Sequence, residues 1–195
     1  MPIETIQLQF YHYPSPDAEP YWIQLEDWLA HLELGRDQRE QSYGPRSSRA
    51  WFYYQNFLLS KDDILGTYFG IDSNNKVVVT GTLVDDDRGV RKKYNIAGNG
   101  MWGLVLTHHE HRQRGYGKAL CAYIDKLVQK RVDKTKVSET YSLFTGYPPA
   151  VKIYTQLGFS LMRQIVIDDP GRTGAGPPLT RDLYAKTYAP SLVPV

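Results

Sequence analysis

At 195 residues, with 42% hydrophobic and 23% charged side chains, the chain has the composition of one soluble globular domain that can bury a core. Its 23 basic and 21 acidic residues leave a net charge of +2, which argues against a nucleic-acid partner held by bulk charge. The single cysteine excludes an internal disulfide, and we expect no zinc cluster and no bound metal. We see no membrane span and no signal peptide, so we expect one cytoplasmic domain over residues 1–195.

The N-terminal third predicts one strand followed by two aromatic-rich helices. Residues Ile3–Phe10 alternate apolar and polar side chains, as is typical of a half-buried strand. After the turn residues Ser15–Asp17, a helix runs towards Gly35, and a second helix begins near Ser47 or Ser48 after a polar loop over 36–45. The apolar faces of these helices comprise Trp22, Leu25, Trp28 or Leu29 and Leu32 in the first, and Ala50 or Trp51, Tyr54 and Phe57 or Leu58 in the second.

The middle of the chain predicts a β-hairpin and a third strand of the same sheet. Gly66–Ile71 and Val77–Val84 are strand-like, and the asparagines between them tolerate the positive φ of a tight turn. A charged connector, Asp85–Lys93, separates this hairpin from the predicted strand Met101–Thr107.

The remaining elements alternate between helix and strand. A long amphipathic helix is predicted from Gly115 to about Arg131, and on its apolar face we expect Cys121 to be a buried, unreactive residue. The elements that follow are a strand Val137–Thr145, a helix from Pro148 or Pro149 to Gly158, a strand Phe159–Ile167, a flexible loop Asp169–Pro178, a strand Leu179–Tyr188 and a loose tail Ala189–Val195.

A glycine-containing loop, Arg112–Lys118, joins the predicted strand Met101–Thr107 to the long helix. The start of a helix presents free backbone N–H groups and the positive end of its dipole to an anion, and glycine lets a phosphate approach the backbone closely. Two nucleotide-binding patterns do not fit. Leu120 stands where G-x-G-x-x-G needs its third glycine, and Ala119 stands where a P-loop needs serine or threonine. The pattern that remains is R-x-x-G-x-G at a strand-to-helix junction.

Two motifs together resemble the GNAT superfamily of N-acetyltransferases. The first is Arg112-x-x-Gly115-x-Gly117, and the second is Tyr154–Phe159, which has the form Y-x-x-x-G-F. The resemblance covers residues 66–167 well. It implies an α/β (α+β) fold with a mixed, mostly antiparallel central sheet of about six to seven strands and about four flanking helices. It also implies that acetyl-coenzyme A is the co-substrate and that the chain transfers an acetyl group to an amine.

The resemblance assigns roles to residues that match the family's motifs. The backbone N–H groups of the loop bind the coenzyme pyrophosphate, two arginines add charge, and two strand residues pair with the pantetheine arm through their main chain. Tyr154 matches the general acid that protonates the departing thiolate. The cofactor-binding residues implied in this way are Val105, Thr107, Arg112, Gln113, Arg114, Gly115, Tyr116, Gly117 and Lys118.

The general base stays open, because the strand Met101–Thr107 lacks the glutamate that many relatives carry there. His109 also replaces a proline that is common at that position. Groups that could deprotonate the amine are His108, His109, Glu110 and His111 next to the loop, or Glu139 and Tyr141 on the following strand. A chain of water molecules, or an amine that is already partly neutral, would need no dedicated base.

The acceptor is a small-molecule or peptide amine, and the sequence does not identify it. The aromatic segments 22–28 and 51–54 favour a small amine with an apolar or aromatic body. We expect no nucleic-acid and no membrane partner, and a homodimer is compatible with the sequence. Two alternatives stay open: a non-catalytic acyl-coenzyme A sensor or interaction module on the same fold, and a donor with an acyl chain longer than acetyl.

Overall fold

One seven-stranded sheet organises the residues that the computed structural model describes, which are 8–13, 15–25, 27–28, 65–84, 90–145, 147–167 and 179–191. The strand order is β1-β2-β3-β4-β5-β7-β6, and neighbouring strands are antiparallel except for the parallel pair β4–β5. The strands are β1 Gln9–Tyr13, β2 Gly66–Ile71, β3 Val77–Val84, β4 Gly100–Thr107, β5 Glu139–Thr145, β6 Ser160–Ile167 and β7 Leu179–Tyr188.

Four α-helical segments accompany the sheet in this described part of the chain. They are α1 (residues 19–25 and 27–28), α2 (Val90–Lys93), α3 (Tyr116–Thr135) and α4 (Pro148–Gln156), with short 3-10 turns at Pro16–Ala18 and His109–His111. The predicted fold class, a mixed and mostly antiparallel sheet with about four helices, is confirmed. None of the helices in the described residues is long and apolar enough to cross a membrane.

The sheet is covered on both faces because successive strand residues point to opposite sides. In β2, Tyr68 packs in the core beneath α3, whereas Phe69 packs in a second core with Trp22 and Leu25 of α1. Helix α3 contributes four completely buried aliphatic side chains to the first core, and each contributes roughly 1.5–3 kcal/mol of stability by leaving water. These four side chains are Leu120, Ile124, Val128 and Val132.

The predicted hairpin Gly66–Ile71 with Val77–Val84 is confirmed at both strands and at its turn. Asn75 adopts a left-handed φ of 58°, as its tolerance of positive φ predicts. The Asp72 carboxylate fixes the turn by accepting hydrogen bonds from the N–H groups of Asn74 and Lys76, both at 2.9 Å.

Three predicted boundaries change in the structure. The first strand, β1, continues past the predicted end at Phe10 to Tyr13, which is in register with Thr67 of β2, whereas residues 3–7 of the predicted strand lie outside the described residues. The charged connector Asp85–Lys93 contains a helical turn at its end, α2. The long helix continues past Arg131 to Thr135, and its C-cap is Lys136, with φ 58° and an N–H donated to the carbonyl of Val132.

The later boundaries agree closely with the predictions. β7 has the predicted limits, and Gly158, with φ 90°, follows α4 as the predicted helix stop. Cys121 is buried and free, and burial raises the pKa of its thiol to about 12, so the predicted unreactive role is supported. The predicted second helix near 47–58 and the loops at 36–45 and 169–178 lie outside the described residues.

Candidate active site

The loop before α3 has the backbone conformation that exposes N–H groups. Gln113 and Gly115 both have positive φ, 63° and 83°, and Gly115 is the N-cap of α3. The first hydrogen bond of the helix runs from the Ala119 N–H to the Gly115 carbonyl at 2.9 Å. The N–H groups of Tyr116, Gly117 and Lys118 therefore precede the helical ladder, and they point out of the helix start.

Glycine is favoured at the two loop positions for different reasons. At Gly115 an added Cβ would meet nothing within 4 Å, so the left-handed φ alone selects glycine. At Gly117 an added Cβ would lie 3.3 Å from Thr107 Oγ1, because α3 starts close against the end of β4. The Arg112 Nε donates to the Thr107 carbonyl at 3.4 Å and joins the same two elements.

The side chains of the loop divide into exposed cations and one buried ring. Arg112, Arg114 and Lys118 are exposed, so their charges are available to an anion at the helix start. Tyr116 is different, because its ring is 5% exposed and packs in the core beneath α3. Its hydroxyl is buried without a hydrogen-bond partner among the described residues, and its backbone N–H precedes the helical ladder. For Val105, Thr107, Gln113 and Gly115 the family resemblance likewise implies a role of the main chain.

The sheet opens between β4 and β5, directly beside this loop. The parallel pairing consists of Gly100 with Tyr141 and Met101 with Ser142, and it ends there. Beyond Met101, β4 continues to Thr107 without pairing to β5, so its backbone groups on that side are not used by the sheet. Val105 and Thr107 both lie on this open part. An unpaired strand edge inside a sheet accepts an extended ligand as if it were a further strand.

A β-bulge interrupts β4 in the middle of the open part. Two steps along β3, from Thr80 to Thr82, correspond to three steps along β4, from Leu106 to Gly103. Trp102 and Val105 consequently both pack on the α3 face although they are three residues apart, whereas Leu106 packs on the α1 face. The extra residue of a bulge stays outside the ladder of strand hydrogen bonds, so the pairing with β3 is interrupted at this point of β4.

Tyr154 of α4 lies next to the point where the strands separate. Its ring packs edge-on against Trp102, with centroids 6.2 Å apart, and against Phe159, with centroids 5.8 Å apart. The side chain is buried, and burial, helped by the neighbouring Cys121, raises the pKa of Tyr154 far above its ordinary value of 10.0. The phenol therefore holds its proton throughout the physiological pH range.

The gap between β4 and β5 forms a cleft, with a closed end where the two strands still pair and an open end where they have separated. Glu139 and Tyr141 lie at the closed end. The Glu139 carboxylate is buried, pairs with Arg131 Nε at 3.0 Å and accepts a hydrogen bond from the Tyr141 hydroxyl at 2.9 Å. Tyr141 is in register with Gly100, where β4 and β5 still pair. The two partners, and the position where β4 and β5 still pair, place this carboxylate away from the open end of the cleft.

The histidine-rich turn follows β4 and precedes the loop. The His108 N–H donates to the Val78 carbonyl at 2.9 Å, so β3 still holds the turn, and the His108 ring lies 5.3 Å from that of Trp28. Burial, followed by the charges of its histidine neighbours, lowers the pKa of His108 although Glu110 opposes this. His109 and Glu110 are exposed, and His111 is half-buried.

Two polar groups at the fork were missed by the sequence reasoning. Ser142 Oγ and Trp102 Nε1 are both buried, and neither has a hydrogen-bond partner among the described residues. Ser142 belongs to the last β4–β5 pair, and Trp102 is the next residue of β4 after that pair. A buried polar atom without a partner is costly, and these two lie on opposite faces of the sheet at the fork where β4 and β5 separate, because Tyr141 and Leu143 pack in the first core with Trp102 while Ser142 stands between them. In the sequence, the serine between apolar residues of a predicted strand was the feature that could have indicated a buried polar group here.

Comparison with known proteins first establishes the class of fold. The chain resembles the structure of a candidate acetyltransferase from Acinetobacter baylyi, with a TM-score of 0.64 and 13% identity over 98% of both chains. It also resembles a phosphinothricin acetyltransferase from Sinorhizobium meliloti in complex with AcCoA, with a TM-score of 0.59 and 12% identity over 93% of this chain and 89% of that one. The third similar structure is the ribosomal-protein-S18-alanine N-acetyltransferase from Escherichia coli, with a TM-score of 0.58 and 13% identity over 95% of this chain and 96% of that one.

The family follows from the sequence model that matches this chain. Residues 65–161 match the acetyltransferase (GNAT) domain, and this range contains the hairpin, the glycine-containing loop Arg112–Lys118 (the phosphate loop of the prediction) and Tyr154. The chain belongs to the GNAT superfamily of acetyltransferases, and the predicted resemblance is confirmed. No curated protein sequence matches the chain at a significant level.

Proposed function

We propose that this protein transfers an acetyl group from acetyl-coenzyme A to a primary amine by direct attack in a ternary complex. The observation that carries the proposal is the early end of the β4–β5 pairing, beside a helix start with free N–H groups. The helix start suits the pyrophosphate, and the open edge of β4 suits the amide groups of the pantetheine arm. Together they direct the thioester into the fork near Trp102 and Ser142.

Each bond change in the transfer has a group that can assist it. The amine nitrogen attacks the thioester carbonyl carbon, and the developing oxyanion accepts a hydrogen bond from a backbone N–H at the bulge between Gly103 and Leu106. When the carbon–sulfur bond breaks, Tyr154 donates its proton to the thiolate. The nitrogen then loses its proton to water, and a proton from solvent restores the phenol. The products are an acetamide and the free coenzyme thiol.

Proton donation by Tyr154 is uphill in energy and depends on proximity. Burial raises the pKa of the phenol, whereas a thiol has a pKa of about 8.5, so the thiolate gains the proton only when it is held directly against the phenol. The transfer replaces a buried thiolate by a buried phenolate, so it also depends on the return of a proton from solvent to Tyr154. β4 carries no carboxylate at the open end of the cleft, so we propose that the amine arrives neutral or loses its proton through water.

The acceptor reaches the thioester from the α1 face of the sheet. There Trp28 and Leu106 pack against the same core, on the face opposite α3, and the Trp28 ring is close to that of His108. This aromatic lining supports a small amine with an apolar body as the acceptor. Two of the similar structures are named for the acceptors phosphinothricin and the alanine of ribosomal protein S18, so both small-molecule and peptide amines belong in a screen.

The decisive experiment is release of free coenzyme thiol by Tyr154→Phe compared with wild type, on an amine found in that screen. We expect turnover to fall at least about 100-fold, the usual range for a general acid, while the KM for acetyl-coenzyme A changes less than about twofold. The control is Tyr184→Phe, since Tyr184 is another buried tyrosine of the same core. Unchanged turnover in Tyr154→Phe would remove the acid role.

The pH profile of the wild type gives a second test. We expect the rate to rise with pH as the amine loses its proton, without a fall up to about pH 10, because burial holds the pKa of Tyr154 above that value. A decline of the rate between pH 8 and 9 that disappears in Tyr154→Phe would contradict the buried, protonated phenol.

A non-catalytic acyl-coenzyme A sensor is the second candidate. It is favoured by β4 itself, whose sequence GMWGLVLT contains no carboxylate. Tight binding of acetyl-coenzyme A without thiol release for any amine tested would support the sensor against the enzyme. Failure to bind acetyl-coenzyme A at all would exclude both.

A further inference from the structure

The turn between β4 and the phosphate loop concentrates the histidines of the chain. Three of the five histidines lie within the four residues His108–His111, together with Glu110. Residues His109–His111 form a 3-10 turn with His108 as its N-cap. A 3-10 turn has about three residues per turn, so residues 108 and 111 project on the same side.

The side chains of this turn converge on one point. One ligand atom each from His108, Glu110 and His111 lies within 4.8 Å of the other two, and His108 Nδ1 is 3.8 Å from Glu110 Oε2. The Nδ1 atoms of His108 and His111 are both shielded from solvent, and neither has a hydrogen-bond partner among the described residues. Two buried ring nitrogens without partners, next to a carboxylate, are costly unless something binds between them.

We propose that His108, Glu110 and His111 bind a divalent transition-metal ion, with zinc as the best match. Imidazole nitrogens prefer zinc and similar ions over magnesium or calcium, which prefer sites made of oxygen atoms. Ligands at zinc distances of 2.0–2.2 Å in a tetrahedral arrangement lie about 3.3–3.6 Å apart. The observed separations exceed this by an ångström or so, which small side-chain rotations close.

The site was not expected from the cysteine count, because its ligands are two imidazoles and one carboxylate. With three protein ligands the metal keeps one open position for water or for an anion. The bound ion would fasten the turn, whose first residue is held by β3 through the Val78 carbonyl, to the start of the loop at Arg112. The site is therefore proposed as a clamp at the mouth of the cleft, and it does not depend on the chemistry of acetyl transfer.

The test is zinc binding by untagged, chelator-treated protein, since a histidine tag would itself bind metal. We expect one equivalent of zinc by calorimetry and by metal analysis after dialysis, and a visible absorption band typical of tetrahedral cobalt when Co²⁺ is added. His111→Ala should weaken zinc at least about 10–100-fold, which is the loss already seen when a partner of a metal ligand is removed. Glu110→Gln should weaken it less, because an amide oxygen can still bind.

The matched control is His109→Ala, because His109 is exposed in the same turn and is not one of the three ligands. Its zinc affinity and stoichiometry should equal those of the wild type. Thermal unfolding of each variant without metal checks that the fold persists. Absence of zinc binding in the folded wild type would overturn the proposal, as would equal affinity in His111→Ala and wild type.

Discussion

The two ends of the β4–β5 cleft differ in whether their polar side chains have hydrogen-bond or ion-pair partners. At the closed end each group has partners: Glu139 binds Arg131 and Tyr141, and Asp125 of α3 accepts from Lys186 at 2.5 Å and from Tyr188 at 2.7 Å. At the open end the buried atoms Trp102 Nε1, Ser142 Oγ, His108 Nδ1 and His111 Nδ1 have no partner in the described chain.

The difference separates stability from function. Paired polar groups in a core fix the register of the elements that carry them, and their loss weakens the fold. Buried polar groups without a partner do not stabilise the ligand-free protein in this way, but they can form hydrogen bonds with a ligand. Variants at the closed end should therefore change unfolding, and variants at the open end should change binding.

The largest expected effect is at the closed end. Glu139→Ala removes a buried carboxylate that pairs with Arg131 and accepts a hydrogen bond from Tyr141, so we expect a loss of about 3 kcal/mol in the free energy of unfolding, measured by urea titration. The double variant Arg131→Met, Glu139→Leu should recover much of that loss, because an apolar pair of similar size has no charge to desolvate. If Glu139→Ala has the same free energy of unfolding as wild type, the ion pair between Arg131 and Glu139 does not stabilise the fold.

An intermediate effect is expected in the phosphate loop. Gly115→Ala places a Cβ at φ 83°, so we expect a loss of about 1–2 kcal/mol, or about tenfold weaker coenzyme A binding if the loop relaxes instead. The matched variant is Gln113→Gly, because Gln113 also has a positive φ, 63°. Glycine adopts this φ without strain, so the free energy of unfolding and the affinity for coenzyme A should both stay close to those of wild type. Calorimetry with coenzyme A and urea unfolding measure the pair. Equal behaviour of the two variants would show that φ does not select glycine here.

The smallest effect on stability is expected at the open end. Ser142→Ala removes a buried hydroxyl that has no partner, so the free energy of unfolding should stay within about 0.5 kcal/mol of wild type or rise slightly. Binding of acetyl-coenzyme A should weaken several-fold if the hydroxyl meets the thioester arm. A destabilised Ser142→Ala with unchanged binding would reverse the comparison between the two ends.

Much of the fold was readable from local sequence. The hairpin, the loop, α4 and β7 were predicted because their signals are local: Asn75 at a turn, glycine at a helix start, Pro148 at helix entry and Gly158 at a helix stop. The end of α3 was predicted one turn too early, since Lys136 adopts the left-handed conformation usually supplied by glycine or asparagine.

The geometry of the site was less readable, because it depends on pairing between distant segments. Nothing within Gly100–Thr107 indicates where β4 leaves β5 or where the bulge falls, since both follow from the registers with β3 and β5. The unpaired state of Ser142 and Trp102 is likewise a tertiary property. The roles of Tyr154 and of the loop residues came from family resemblance, and they stay predictions until the variants are measured.

The bulge in β4 has a consequence for how this strand can change. Because side chains alternate, the one extra residue between Gly103 and Leu106 lets Val105 line the α3 face with Trp102 while Leu106 lines the α1 face. Deleting a single residue there would remove the bulge and restore regular pairing with β3, so that Val105 and Leu106 would keep their faces but the strand would lose its extra residue in the cleft. We therefore expect β4 to accept changes of side chain far more readily than changes of length.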